Sequence, residues 1–229
     1  MPHHDHPVAD LAVVACGALR PEIQTFVRQG DLGNARALYT APGLHEWPGE
    51  LQDQLTRQLG RACTAARRVV VAYGRKCFID LDNPSRVTET LVREVCPRAA
   101  RVRAANCVDM LADASERERI AGGHEVYWLT PAWLMNWDFI FKDWDAAMAN
   151  ETFPRHQRAV VLDGVGFFDA FLAERPEDLL RISDWMKLPI EAAPVSLDRL
   201  RDLLLQASAA TESSAPAPTP ARRPPEDDR

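Results

Sequence analysis

The chain lacks any apolar run long enough to cross a bilayer. Its longest, such as Leu11-Ala12-Val13-Val14-Ala15, fall far short of the roughly 20 residues a spanning helix needs. Its start carries no basic region followed by an apolar segment, so the expectation is a cytoplasmic protein with no membrane partner. Basic charge is in deficit. With 27 Lys and Arg against 33 Asp and Glu, the formal net charge is -6, which gives a nucleic-acid backbone no broad electrostatic footprint to bind. Closely spaced cysteine pairs are missing too. The 5 cysteines include no CxxC, which excludes the usual zinc-finger and thioredoxin signatures, so a thiol site must be assembled from residues distant in sequence. An odd number of cysteines argues against a disulfide framework and for reduced thiols. His45-Glu46 is followed by Gly49 where a zinc protease needs its second histidine. There is no P-loop lysine motif, no GxSxG elbow and no internal repeat. Asp163-Gly164-Val165-Gly166 opens like a dinucleotide loop, but Asp169 stands in place of the third glycine.

What is present is one core's worth of apolar residues arranged as strands alternating with helices. The 229 residues are 46% hydrophobic, enough to bury one substantial core. Arg68 to Cys77 is a β-branched run without polar alternation, the pattern of a strand buried on both faces of a parallel sheet. Similar runs occur at 11–15, 36–41, 101–105, 126–130 and 159–162, and Pro189 to Val195 has the character of an edge strand. Between them, Pro21 opens a helix, Glu50 to Ala66 is amphipathic, and Thr88 is placed to cap a helix. Asp169 to Met186 is helical with a break at Pro176, and Ser196 to Gln206 closes the fold. The expected class is α/β, a doubly wound, mostly parallel sheet with helices on both faces in a Rossmann-like three-layer sandwich. Residues 9–206 form a single domain in this reading. Residues 1–8 are a flexible His-rich terminus, and 207–229 a disordered tail of Ala, Ser, Thr, Pro and charge.

In open α/β sheets, ligands sit outside the carboxyl ends of the strands. Cys16, His45, Cys77 and Cys107 all follow strand-like runs, so the expectation is that they meet at one edge as a metal site. Three thiolates and an imidazole suit Zn2+ or an iron–sulfur cluster, because soft sulfur donors select these over magnesium or calcium. His45 is either the fourth ligand or an acid/base, with Glu46 as its orienting neighbour. Cys63 and Cys96 are read as small buried thiols on or near helix ends. Asp80, Asp82 and Asp109 stand near the proposed site as candidate bases. Two other functions remain open: a non-catalytic metal or cofactor carrier with the same ligands, and a metal-free small-molecule-binding domain using the crevice at Gly17, Gly74 and Gly164. The cluster of Trp128, Trp133, Trp137 and Trp144 is either packing or a pocket wall.

The order ACGAL, PGLHEWP, VAYG followed by a cysteine, NCVDML and VYWLTPAW resembles the prokaryotic domain-of-unknown-function family 1638, over most of residues 10–205. The resemblance implies functional equivalents at Cys16, His45, Glu46, Tyr73, Gly74, Cys77 and Cys107, with Tyr73 and Gly74 toward a cofactor. It also implies an association with corrinoid-linked one-carbon (methyl) metabolism, with a small molecule or a corrinoid/methyltransferase protein as partner.

Overall fold

Val13-Val14 and Val69-Val70-Val71 are fully buried, because a strand apolar on both faces has to be covered on both faces. The computed structural model describes residues 9–213; the His-rich start and residues 214–229 of the tail lie outside them. The first half runs β1 (Ala9–Ala15), α1 (Arg20–Gln29), β2 (Arg36–Tyr39), α2 (Pro48–Ala65), β3 (Ala66–Ala72), α3 (Thr88–Val95), β4 (Ala100–Arg101), α4 (Cys107–Leu111) and α5 (Ala114–Ala121). It builds a parallel sheet in the order β2-β1-β3-β4. The second half runs β5 (Val126–Leu129), α6 (Pro131–Met135), α7 (Trp137–Ile140), α8 (Ala146–Thr152), β6 (Arg158–Asp163), α9 (Phe167–Glu174), α10 (Pro176–Met186), β7 (Ile190–Pro194) and α11 (Asp198–Ser213). Its sheet, β5-β6-β7, is also parallel.

The α/β class, the parallel strands and the helices on both faces agree with the sequence reading, but the strands divide between two sheets. The first sheet stops at β4, which is only two residues long and pairs through Val70 and Val71. Gly122 and Gly123, both left-handed, then redirect the chain ahead of β5. On one face of the first sheet pack Ile23 and Phe26 of α1, Met110 and Leu111 of α4, and Leu200 and Leu204 of α11. Leu162 of β6 joins this same core, so the second sheet packs back on the first. The opposite face is covered by Leu51, Leu55 and Leu59 of α2 with Leu91 and Val92 of α3. Burying each of these leucines contributes on the order of 2 kcal/mol.

Two expectations need correction. α11 does not end at Gln206 but continues to Ser213, with Ala207, Ser208 and Thr211 buried. Small residues let this last stretch lie close to the first sheet, where Arg68 Nη1 donates to Ser208 Oγ at 3.0 Å. Cys63 and Cys96 are not separate thiols. They form a disulfide with a Cα–Cα separation of 5.9 Å, because α2 and the end of α3 bring two small sulfur side chains face to face within bonding range. Among the described residues, no helix is long and apolar enough to cross a membrane.

Gly60 sits inside α2, and a Cβ there would meet nothing within 4 Å. Gly60→Ala is therefore expected to stabilise the protein by about 0.5–1 kcal/mol, through reduced unfolded-state entropy. A urea midpoint shifted upward at constant slope checks this.

Candidate functional site

Three loops leave the carboxyl edge of the first sheet, and each carries a thiol. Cys16 directly follows β1, Cys77 lies in the loop after β3, and Cys107 opens α4. His45 sits in a 3-10 turn, Leu44–Glu46, between β2 and α2. Backbone contact brings the loops together. A Cβ on Gly74 would lie 2.1 Å from the Ala105 carbonyl oxygen and 2.5 Å from Asn106 Cα, so only glycine lets the loop after β3 rest on the segment leading to Cys107. Gly17 does the same beside Cys16, where a Cβ would lie 2.7 Å from the Thr40 carbonyl oxygen.

Hydrogen bonds hold the arrangement. The amides of Arg75 and Lys76 donate to the Ala104 and Ala105 carbonyls at 3.0 and 3.4 Å. Arg101 Nη1 donates to the carbonyls of Tyr73 at 3.1 Å and Ala104 at 3.2 Å. Thr88 is not the cap of α3, since Val87 holds that position. Its buried hydroxyl donates to the Gly74 carbonyl at 3.0 Å and accepts from the Phe78 amide at 3.1 Å. It braces the Cys77 loop instead.

The result is one small enclosed cavity, about 30 Å3, lined by Cys16, Cys77, Cys107, His45, Tyr73 and Trp133. The sulfurs affect one another's ionisation. Burial pushes the Cys16 thiol up, partly offset by the amide of Ala18 and the Tyr73 hydroxyl. Cys77 is pushed up to about 12, first by burial and then by the charge of a Cys16 thiolate. Cys107 is raised well above the usual thiol value by burial and by both other sulfurs. Burial is the largest cause at all three, and it keeps the thiols in their neutral form. Among the described residues, no three His, Cys, Asp or Glu side chains are disposed as a metal-holding group. His45 Nε2 lies 3.3 Å from Glu46 Oε1, and that hydrogen bond holds the Glu46 carboxyl below its ordinary value.

Next to this cavity lies a larger one of about 430 Å3 that shares His45, Cys77, Cys107 and Trp133 with it. Tyr127 and Trp128 of β5 also line it. The aromatic segment thus walls a pocket beside the thiols. The second sheet is pinned there by Thr130, whose hydroxyl donates to the Ala18 carbonyl at 2.8 Å, just past Cys16.

A family model described as "Protein of unknown function (DUF1638)" matches residues 39–204. The chain belongs to the DUF1638 family. The matched span contains His45, Glu46, Tyr73, Gly74, Cys77 and Cys107 and begins after Cys16. No curated protein and no solved structure gives a significant match.

Within this DUF1638 protein the acidic loop residues lie outside both cavities. Asp80 pairs with Arg86 at 2.9 Å. Asp109 accepts from the Ala105 amide at 2.9 Å and from Arg199 Nη2 at 3.2 Å. Both are structural. Asp82 lies on the exposed loop beside Asp80, where its amide donates to Asp80 Oδ1 at 3.0 Å. Sequence reasoning missed Thr40, whose hydroxyl makes a short hydrogen bond with the buried Tyr73 hydroxyl, and so holds the group that faces Cys16. It also missed Lys76 and His156, which line the larger cavity. Lys76 was legible only as the neighbour of Cys77. His156 carries no local signal, because β5 and the turn before β6 bring it to the cavity from far along the chain.

Proposed function

We propose that Cys16, Cys77 and Cys107 hold a soft metal centre, Zn2+ or an iron–sulfur cluster, with His45 as fourth ligand or acid/base. The supporting observation is that three thiols from three separate loops line a single enclosed cavity. Donor type fits, since thiolate and imidazole prefer these centres. The small size of this cavity, about 30 Å3, favours a single ion over a cluster. Binding requires the thiol side chains to rearrange, because among the described residues they do not form a ligating group. A metal open to the larger cavity would supply Lewis-acid chemistry to a ligand there. The chain's own part is to exclude water through Trp133, to hold Cys16 by the Tyr73 hydroxyl, and to orient His45 through Glu46.

A place in corrinoid-linked methyl metabolism, with a small molecule or a corrinoid/methyltransferase protein as partner, is supported by the family resemblance. A metal carrier would use the same ligands without the larger cavity. A second reading, a metal-free small-molecule-binding domain, is favoured by the size of that cavity together with the missing ligand geometry.

Anaerobic purification with metal and acid-labile sulfide analysis separates these. The expected result is close to one zinc per chain without sulfide, reduced by at least half in Cys77→Ser. Metal content unchanged by that substitution removes Cys77 from the centre, and protein free of metal and sulfide leaves the metal-free reading.

A further inference from the structure

The 430 Å3 cavity lies in the size range of small-molecule sites, and its charge runs against that of the chain. The protein as a whole carries a net charge of -6. Yet among the described residues no aspartate or glutamate lines this cavity, whereas Lys76, His156 and Asn106 do, together with His45, which is paired with Glu46. His156 donates from Nδ1 to the Thr152 carbonyl at 3.1 Å, so its Nε2 accepts in the neutral ring and donates to an incoming carboxylate only in the protonated ring. Lys76 is exposed and also lines the cavity. Among the described residues no arginine lines it. A phosphate dianion is commonly met by arginine forks or a nest of amides, whereas one ammonium with an imidazole and an amide matches a single negative charge.

The remaining wall is aromatic and geometrically ordered. Tyr127 stands edge-on to Trp133 at 6.4 Å and to His156 at 5.2 Å, and Trp133 is tilted over His45 at 6.0 Å. Such a wall takes a flat apolar body. Cys77 and Cys107 line the same space.

We propose that the larger cavity binds a small monocarboxylate with a flat apolar body, its carboxylate toward Lys76 and His156 and its body along Tyr127 and Trp133. Binding needs only these residues. What the protein then does with the ligand beside the thiols rests on the metal-centre reading.

The test uses the full chain purified anaerobically, titrated with benzoate, phenylacetate and hexanoate, and followed by tryptophan fluorescence and calorimetry. Benzamide is the neutral control of equal shape, and inorganic phosphate is the competing anion. Saturable binding of benzoate or phenylacetate is expected, tighter than benzamide by about tenfold and undisturbed by phosphate. Lys76→Gln should weaken the carboxylate about tenfold and leave benzamide binding and metal content unchanged. Trp133→Leu should weaken both ligands. The proposal is overturned if none of the three carboxylates binds below millimolar concentration, if benzamide binds as well as benzoate, if Lys76→Gln has no effect, or if phosphate displaces the carboxylate. Metal and sulfide content is measured on the same samples. Carboxylate binding without metal would keep this site and remove the metal centre, and metal without carboxylate binding would do the reverse.

Discussion

Gly74→Ala is expected to cost about 3 kcal/mol of stability, the upper part of the range for an overpacked buried site. For a chain of this length that corresponds to an unfolding midpoint lower by roughly 6–12 °C. The new methyl group would sit 2.1 Å from the Ala105 carbonyl oxygen and 2.5 Å from Asn106 Cα. All of these neighbours are backbone atoms, so no side chain can swing away. The two segments have to separate, and the Arg75 and Lys76 hydrogen bonds to Ala104 and Ala105 break with them. Because those segments carry Cys77 and Cys107, the variant should also lose whatever the thiol cavity binds. Gly49→Ala is the control, since a Cβ there meets nothing within 4 Å. Calorimetry showing equal midpoints for the two variants would contradict the close approach of the loops.

Glu22→Gln is expected to flatten the dependence of stability on pH. Glu22 lies in the first turn of α1, fully buried, and among the described residues its carboxyl oxygens find no hydrogen-bond partner. Burial, with the charge of Asp163 adding to it, raises its pKa to about 8. The native state therefore keeps the proton that the unfolded chain releases near its ordinary value of 4.5. Between those values the native state binds more protons than the unfolded state, so stability falls as pH rises, by about 1.4 kcal/mol per pH unit at most. The stabilisation is complete below the unfolded value and gone above about 8. Glutamine keeps the shape and never ionises. The two proteins should match within about 1 kcal/mol near pH 5, and the variant should be the more stable by several kcal/mol near pH 8. Urea unfolding at pH 5, 6.5 and 8 reads this directly. Parallel curves would mean that Glu22 is hydrated or paired in solution.

The residues whose environment is set by their immediate neighbours were the legible ones. β1, β3 and β6 are continuous apolar runs, and a strand of that kind has few alternatives to the centre of a parallel sheet. The positions of Cys16, Cys77 and Cys107 just beyond strand-like runs follow from the same pattern, and the structure does line one cavity with all three. Thr88 was misread because a threonine ahead of a helix has the same local signature whether it caps the helix or, as here, braces a distant loop through the Gly74 carbonyl. The end of α11 was missed for a related reason. Ala207, Ser208 and Thr211 have the composition of a solvated tail, and only the nearby sheet makes them buried.

Chain chemistry alone determined the class of fold, the alternation of helices with buried strands and which three thiols follow strand ends, since periodicity and residue type act within a few residues of one another. Tertiary structure decided that the strands split into two sheets, that Cys63 meets Cys96, and that Tyr127, Trp133 and His156 face Cys77 and Cys107 across a shared pocket. Those outcomes depend on close backbone approaches at Gly17 and Gly74 and on the packing of one sheet against another, contacts between segments whose separation along the chain hides them from any local pattern.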